Sequence, residues 1–206
     1  MIDLRSALRL YLVADPEHCR GDLAGITEAA IRGGVSMVQL RAKQLPDPGS
    51  SVLAQALCNL CHAYGIPFIM NDRVDIAIAV GADGVHLGVD DTPIELARAL
   101  GGDDFIIGYS PDSDEDLERA AARGANYLGI GPVFGTKTKS DAGAALGIDE
   151  FRRRMQLGGL PTVGIGGVTS TNYREVLLAD ADGVAVISAI LGADNPEATA
   201  RQLSTN

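Results

Sequence analysis

Short apolar runs of about five to eight residues alternate along this chain with longer, helix-like segments. The short runs are nearly continuous in apolar residues, which is typical of strands that are buried on both faces of a parallel sheet. The predicted strands are residues 9–15, 36–41, 67–72, 84–87, 105–110, 127–131, 162–166 and 184–188. The predicted helices are residues 23–32, 51–64, 74–80, 93–100, 113–123, 148–157, 171–179 and 197–203. Eight strands alternating with eight helices predict an α/β fold, a (β/α)8 TIM barrel, with residues 1–206 as one domain.

A weak internal repeat supports the barrel. Residues 33–39, 81–86, 124–129 and 179–185 each close a helix and open a strand, and these are the second, fourth, sixth and eighth strands. Alternate strands fill the interior layers of a barrel, so a repeat on alternate strands suits that fold. The alternative is an open doubly wound sheet, which normally carries a Gly-rich fingerprint after its first strand. The segment Val13-Ala-Asp-Pro-Glu17 is no such fingerprint.

Composition and charge narrow the classes of partner. The 206 residues are 46% apolar, which is ample for a core, and the formal net charge is −10. That charge argues against nucleic acid or an anionic membrane as a partner, because phosphate backbones bind a basic face. A small phosphorylated ligand stays compatible, since a few local cations can reverse the field in one pocket. No apolar stretch reaches the roughly 18 residues that span a bilayer, and the start lacks a signal-peptide pattern. We therefore expect a cytoplasmic protein.

The cysteines carry one misleading motif. Cys58-Asn-Leu-Cys61-His62 matches the pattern of c-type haem attachment. It lies inside a predicted helix, and no fourth ligand for zinc stands nearby in the sequence. We interpret these residues as small side chains that fill a helix face, and with Cys19 they make an odd number of free thiols.

The candidate chemistry lies where the strands end, because barrel enzymes build their active sites at the carboxyl ends of the strands. Strand two ends in Gln39-Leu-Arg41-Ala-Lys43, and the alternation of a strand sends the amide, the guanidinium and the ammonium to one side. This pattern is typical of an anion clamp. Alternatively, Arg41 and Lys43 simply leave the strand for solvent. Gln39 sits in an apolar run and needs a buried partner.

Strand three ends in Asn71-Asp72, and Asp91 follows strand four. These strands are neighbours in a barrel, so the two carboxylates are expected to meet over one cation. Mg²⁺ typically takes one or two carboxylates and completes its shell with water and substrate phosphate. Asp72 alone would suit a helix cap equally well. We interpret His86 as a hydrogen-bonded core histidine rather than a ligand or base.

Hydroxyls, lysines and glycines follow the later strands. The segment 131–141 after strand six holds Thr136, Thr138 and Lys139, and such groups bind phosphate oxygens, although a solvated loop has the same composition. Strand five ends at Ser110. Strand seven continues through Gly167 into a helix, and strand eight continues through Ile187-Ser188 into another. Backbone N–H groups at these helix starts bind phosphate in barrel enzymes. The residues thus predict two anionic subsites. One, for a diphosphate, has Mg²⁺, Arg41, Lys43, Thr136, Thr138 and Lys139; the other, for a monophosphate, has Gly167, Ile187 and Ser188.

Taken in order, these motifs resemble those of thiamine phosphate synthases from Tyr11 to Ala189, nearly the whole chain. The motifs are residues 39–43, 71–73, 83–88 with Asp91, 108–110, 131–134 with 136–139, 165–167 and 186–188.

The resemblance implies a Mg²⁺-dependent transferase of thiamine biosynthesis. It would join hydroxymethylpyrimidine diphosphate to thiazole phosphate, or its carboxylated form, giving thiamine monophosphate and pyrophosphate through a pyrimidine carbocation. Its implied partners are small phosphorylated molecules, without nucleic acid or membrane, and a homo-oligomer stays open. The implied diphosphate-binding residues are Gln39, Arg41, Lys43, Asn71 and Lys139, the metal ligands are Asp72 and Asp91, and the thiazole phosphate residues are Thr136, Thr138, Gly167, Ile187 and Ser188. The implied catalytic residues are Ser110, Lys139 and Arg41, and the resemblance implies that Ser110 also binds substrate.

Three positions depart from the family pattern. Val89 stands where relatives often carry Gln, Gly135 where proline is frequent, and Asp112 where many carry His. The related thiazole tautomerases are thought to use that His for proton transfer, so Asp112 argues against a tautomerase. A non-catalytic barrel that binds thiamine precursors is the third hypothesis.

Overall fold

Eight parallel strands close into a barrel in chain order, with β8 paired to β1. The computed structural model describes residues 2–136, 138 and 143–204. The strands are β1 Leu10–Ala14, β2 Met37–Leu40, β3 Phe68–Asn71, β4 Gly84–Leu87, β5 Ile106–Tyr109, β6 Tyr127–Ile130, β7 Thr162–Ile165 and β8 Gly183–Val186. The predicted TIM barrel is confirmed. Each predicted strand contains the observed one except the last, which was predicted over residues 184–188 and begins one residue earlier, at Gly183.

Helices surround the barrel and connect its strands. They are α1 Leu4–Leu8, α2 Leu23–Arg32, α3 Asp47–Ala63, α4 Val74–Val80, α5 Ile94–Gly101, α6 Asp114–Arg123, α7 Gly147–Gly158, α8 Tyr173–Leu177, α9 Ser188–Leu191 and α10 Pro196–Ser204, with a 3-10 turn at Pro16–His18. No helix in the described part of the chain is both long and apolar enough to cross a membrane.

The element ends differ from the prediction at several places. The short helix α1 was not predicted. Helix α3 begins at Asp47 rather than at residue 51, because an acid and a proline in the first turn favour a helix start there. Ser188 was predicted to end the last strand, but it opens α9. The chain leaves strand geometry at Ile187, whose φ and ψ are −116° and −89°.

The internal repeat has a structural counterpart at the amino ends of the strands. The residue immediately before each even-numbered strand exchanges two hydrogen bonds with one residue of the preceding odd-numbered strand. Its backbone N–H donates to that residue's carbonyl oxygen, at 2.7–2.9 Å. Its side-chain oxygen accepts the same residue's N–H, at 2.8–3.0 Å. We call these pairs the reciprocal clamps: Ser36 with Leu10, Asp83 with Phe68, Asn126 with Ile107, and Asp182 with Thr162.

The third clamp is tied to the loops around it through an arginine. Asn126 Oδ1 accepts from Arg98 Nη2 at 2.7 Å in addition to the N–H of Ile107. Arg98 also donates to the carbonyl oxygens of Gly102, Phe105 and Gly124. The side-chain oxygen of Asn126 therefore accepts hydrogen bonds both from the N–H of Ile107 in β5 and from the Arg98 guanidinium, which also binds the neighbouring loops.

We predict that Asn126→Ala lowers the free energy of unfolding by about 1–3 kcal/mol, because it leaves the buried N–H of Ile107 without an acceptor. Asn126→Asp retains the acceptor oxygen and should stay close to wild type, since Asp83 and Asp182 do this in two other clamps. Urea denaturation of the three proteins checks this. Equal midpoints for wild type and Asn126→Ala would contradict a stabilising role of the clamp.

Candidate functional site

Two adjoining cavities open at the carboxyl ends of the strands. The first has a volume of about 110 Å³, and polar and charged side chains from the first five βα units line it. We call it the carboxylate cavity; its polar lining side chains are Tyr11, Gln39, Arg41, Lys43, Asn71, Asp72, His86, Asp91 and Ser110. Gln39, Arg41 and Lys43 line this one cavity, as the sequence predicted, although β2 ends at Leu40 and Arg41 and Lys43 follow it.

The second cavity is larger, about 260 Å³, and lies over β6, β7 and β8. We call it the glycine cavity; its lining includes Asp112, Gly131, Thr136, Thr138, Gly166, Gly167, Ile187 and Ser188. The two cavities share Ser110, Gly129, Ile165 and Ala185, so they meet at the centre of the barrel mouth.

Two carboxylates and a lysine meet in the carboxylate cavity. Asp72 has a positive φ of 62°, a conformation that Asp and Asn tolerate better than most residues, and its N–H donates to the carbonyl of His86 at 2.9 Å. Lys43 Nζ lies 3.2 Å from Asp72 Oδ2. Asp91 Oδ2 accepts the N–H of Gly88 at 2.7 Å, which fixes that carboxylate at the cavity wall.

Burial raises the pKa of Asp72, the neighbouring Asp91 carboxylate raises it further, and Lys43 opposes both. The predicted meeting of the two carboxylates is therefore confirmed. The cavity holds more negative charge than one lysine compensates, which is an environment that favours a cation. Among the described residues, no three His, Cys, Asp or Glu side chains form a closed metal site. Two carboxylates with room beside them fit a hard cation that takes its other ligands from water and phosphate.

Arg41 lines the carboxylate cavity and is already paired with a carboxylate. Its Nη1 donates to Asp15 Oδ2 at 2.6 Å, and both side chains are buried. Asp15 also accepts the N–H of Glu17 at 3.0 Å, so the turn after β1 holds the carboxylate in place. A guanidinium has five N–H groups, and those not used by Asp15 remain for the cavity that Arg41 lines. Sequence reasoning missed Asp15 because it considered the segment only as a phosphate fingerprint.

Thr136 and Thr138 lie in the glycine cavity, not with the diphosphate subsite to which their chemistry alone assigned them. The chain after β6 crosses towards β7, where Val133 and Phe134 donate their N–H groups to the carbonyls of Ile165 and Gly166 at 2.9 and 3.0 Å. Thr138 Oγ1 thereby comes within 3.3 Å of Ser188 Oγ. Their placement agrees with the thiazole phosphate residues that the family resemblance implied. Lys139 lies outside the described residues.

The loop after β7 is shaped by two glycines with positive φ. Gly166 and Gly167 have φ of 91° and 67°, and a Cβ on Gly167 would lie 2.6 Å from the carbonyl oxygen of Gly135. Asn172 holds the loop from below, donating to the carbonyl of Gly167 at 2.9 Å and accepting the N–H of Thr169 at 2.8 Å. Helix α8 consequently starts at Tyr173, two residues after the predicted start. The loop thus adds two residues without side chains to the cavity that Ser188 also lines.

Gln39 and Ser110 are connected beneath the carboxylate cavity. Gln39 donates to Tyr11 Oη at 2.8 Å, and Tyr11 Oη lies 2.7 Å from Tyr127 Oη. Tyr127 Oη lies 3.0 Å from His86 Nδ1, and His86 Nε2 lies 2.8 Å from Ser110 Oγ. The predictions of a buried partner for Gln39 and of a hydrogen-bonded core histidine are confirmed. The two tyrosines were missed because they stand in apolar strands, where an aromatic residue is expected to pack in the hydrophobic core.

Comparison with known proteins identifies the family. The family model described as thiamine monophosphate synthase matches residues 10–190. The chain belongs to the thiamine monophosphate synthase family.

Curated relatives and a solved structure agree with this membership in the synthase family. The thiamine-phosphate synthase of Albidiferax ferrireducens is 45% identical over 96% of this chain and 90% of its own. That of Natronomonas pharaonis is 46% identical over 95% and 92%. The thiamine phosphate pyrophosphorylase structure from Pyrococcus furiosus superposes with a TM-score of 0.88 at 37% identity, covering 98% of this chain and 96% of that one. The predictions of this family and of an enzyme of this kind are confirmed.

The positions that depart from the thiamine phosphate synthase pattern have separate places in the structure. Asp112 lines the glycine cavity. Val89 is exposed, and a Cβ on Gly135 would meet no atom within 4 Å. Gly135 is thus not required by a close contact of its own, whereas Gly167 is.

We predict that Asp15→Ala lowers the free energy of unfolding by about 3–5 kcal/mol, because it leaves the buried guanidinium of Arg41 unpaired. The double variant Asp15→Ala/Arg41→Met should be less destabilised than Asp15→Ala alone, because it removes the orphaned charge. Chemical denaturation of both single variants, the double variant and wild type gives the coupling free energy. Additive losses would show that the pair is not coupled.

Proposed function

We propose that this chain condenses 4-amino-2-methyl-5-hydroxymethylpyrimidine diphosphate with 4-methyl-5-(2-phosphoethyl)thiazole to form thiamine monophosphate and pyrophosphate. The observation that carries the proposal is the junction of the two cavities at Ser110. One cavity carries two carboxylates, a lysine and an arginine, the other carries glycines and hydroxyls, and both are lined by Ser110 at the barrel mouth. Two phosphorylated substrates bound there would lie side by side, which removes much of the entropic cost of their meeting.

The carboxylate cavity suits the pyrimidine diphosphate. Lys43 and the remaining N–H groups of Arg41 supply positive charge, and Asn71 adds an amide at the end of β3. Gln39 lies deeper and can recognise the ring. We assign Lys139 to the diphosphate on the family resemblance alone.

Asp72 and Asp91 are the residues that would hold Mg²⁺. Burial raises the pKa of Asp72, and the neighbouring Asp91 carboxylate is close enough to raise it further. When bound, the ion neutralises charge on the diphosphate and makes it a better leaving group. Lys43, which already contacts Asp72, then faces the same diphosphate.

The glycine cavity suits the thiazole phosphate. The backbone N–H groups of Ser188 and Ala189 stand too early in α9 to bond within the helix, whose first bonds run from Ile190 and Leu191 to the carbonyl of Ile187. The side chains of Ser188, Thr136 and Thr138 add hydroxyls to the same cavity. The close approach of Gly167 to Gly135 keeps this wall free of side chains. A dianionic phosphate on a short alkyl arm would leave the thiazole ring pointing towards Ser110 and the other cavity.

The reaction needs little acid–base chemistry. The bond between the pyrimidine methylene carbon and the diphosphate oxygen breaks, and its electron pair leaves with pyrophosphate. The lone pair of the thiazole nitrogen then forms the new C–N bond to that carbon. Ser110, at the junction, donates to a developing negative charge or to the ring. The enzyme contributes positioning and charge stabilisation.

The direct test is product formation from the two substrates with Mg²⁺ and with EDTA. Thiamine monophosphate that appears only with Mg²⁺ supports the proposal. Folded protein that makes no product under either condition would reject the synthase and leave a tautomerase or a binding protein.

We predict that Asp72→Asn lowers kcat/KM by at least about 100-fold, the scale expected when a charge that stabilises the transition state is lost. Asn keeps the shape and tolerates the positive φ, so the fold should survive. The matched control is Asp75→Asn, an exposed carboxylate on Arg73 nearby. Steady-state kinetics over a Mg²⁺ titration measures both. Wild-type Mg²⁺ dependence in Asp72→Asn would remove this residue as a ligand.

We predict that Gly167→Ala raises KM for thiazole phosphate by about tenfold and changes KM for the pyrimidine diphosphate much less, because the added methyl displaces one wall of one cavity. Gly65→Ala is the matched control, since Gly65 has nearly the same φ, 69°, and no atom within 4 Å of an added Cβ. Kinetics with each substrate varied in turn separates the two KM values. Equal changes in both would place Gly167 outside a dedicated phosphate subsite.

A further inference from the structure

The five side chains that connect Gln39 to Ser110 form a continuous hydrogen-bond chain across the interior of the barrel. They come from four strands, β1, β2, β4 and β6, and from the end of β5. Every link measures 2.7–3.0 Å. Tyr11 and Tyr127 are almost fully buried, with 1% and 0% of their surfaces exposed. We call this set the buried chain. Gln39 and Ser110 are its two ends, and every member except Tyr127 lines the carboxylate cavity.

Glycine at two strand positions leaves the space that the buried chain occupies. Gly108 pairs in register with both His86 and Tyr127, and a Cβ there would lie 2.2 Å from Tyr127 Cζ and 2.4 Å from His86 Nδ1. A Cβ on Gly129 would lie 3.0 Å from His86 Cε1. A strand interior normally loses stability by carrying glycine, so these positions are explained by the polar groups that they admit.

The direction of the hydrogen bonds along the buried chain is fixed by one end. When the Gln39 amide nitrogen donates to Tyr11, the Tyr11 hydroxyl must donate to Tyr127, and Tyr127 must donate to His86 Nδ1, or a buried hydroxyl proton is left without an acceptor. His86 then carries its proton on Nε2 and donates to Ser110 Oγ. Burial raises the pKa of both tyrosines, so each keeps the proton that it has to donate.

The opposite direction also leaves no buried group without a partner, but it exchanges the donor and acceptor roles that Gln39 and Ser110 present to the cavity. If the Gln39 amide were turned over, its oxygen would accept from Tyr11, and every bond would reverse until Ser110 donated to His86 Nε2. In the first direction the cavity receives an acceptor oxygen from Gln39 and a free hydroxyl proton from Ser110. In the second it receives an N–H from Gln39 and only lone pairs from Ser110.

We propose that Tyr11, Tyr127 and His86 are positioning residues that couple the hydrogen-bonding character of Gln39 to that of Ser110. A substrate that donates to Gln39 thereby holds Ser110 as a donor to the substrate. This inference rests on the proposed function for its substrate: an aminopyrimidine donates through its amino group, and the leaving diphosphate or a ring nitrogen accepts from Ser110. Recognition of the ring and stabilisation of developing negative charge are then one cooperative arrangement.

The first test reads the protein without substrate turnover. ¹⁵N chemical shifts of the histidine side chains distinguish the two neutral tautomers and the imidazolium. The chain has three histidines, and His18→Gln and His62→Gln identify the signal of His86. We expect His86 to be a single neutral tautomer, Nε2–H, near neutral pH. An imidazolium, or the Nδ1–H tautomer with the pyrimidine diphosphate bound, would overturn the proposal even if the enzyme makes thiamine monophosphate.

The second test removes one hydroxyl. In Tyr127→Phe, His86 Nδ1 loses its donor, so His86 should populate both neutral tautomers instead of one. We expect kcat to fall about tenfold with KM for the pyrimidine diphosphate changed less than about threefold, the signature of an interaction that matters in the transition state. The matched control is Tyr109→Phe on β5, whose hydroxyl faces Asp116 in the helix layer.

A second variant keeps the proposal testable if Tyr127→Phe folds poorly. Tyr11→Phe retains the bond from Tyr127 to His86 but disconnects Gln39. We expect kcat to fall in this variant while His86 stays neutral. Wild-type kcat in Tyr11→Phe, or an equal loss in Tyr109→Phe, would show that the buried chain serves packing alone. Because the tautomer is read without substrate turnover, this inference can fail while the synthase assignment stands, and the reverse.

Discussion

The register of the barrel depends on the four reciprocal clamps. Each clamp fixes the amino end of one odd-numbered strand against the residue that opens the next strand, through a backbone bond and a side-chain bond together. In a closed parallel barrel, a shift of one residue would turn every inward-facing side chain outward. Setting the register at the amino ends therefore decides which residues reach the mouth. Gln39 and His86 face the interior only because the strands that carry them are held in this register.

Charge in the site is arranged in opposed pairs before any substrate binds. Arg41 is held by Asp15, and Lys43 faces Asp72. This pairing avoids the cost of isolated buried ions, and the N–H groups of Arg41 that Asp15 does not use remain available to a diphosphate. The net charge of −10 on the chain is compatible with an anionic substrate for this reason. A diphosphate in the cavity interacts with these local charges rather than with the net charge of the whole chain.

Sequence reasoning located the elements well and the partners less well. The strands were predictable because burial on both faces forces continuous apolar runs, and the approach of Asp72 to Asp91 followed from the adjacency of β3 and β4. The Arg41–Asp15 pair depends on how two βα loops fold over each other, which has no periodic signal. The position of Thr138 beside Ser188 depends on the crossing of the chain from β6 towards β7. Tyr11 and Tyr127 were hidden because a tyrosine in an apolar run has the same pattern whether or not its hydroxyl matters.

The clamps also bear on how the chain folds. Their side-chain bonds join residues only 26, 15, 19 and 20 positions apart. The pairing of Tyr11 with Ala185 closes the barrel across almost the whole chain. Since the entropy lost on closing a loop grows with its length, each two-strand unit can gather before the ring exists. If the clamped units form early, the pairing of β1 with β8 is the last and slowest contact to form. The catalytic mouth needs all eight strands, so it is completed only when the barrel closes.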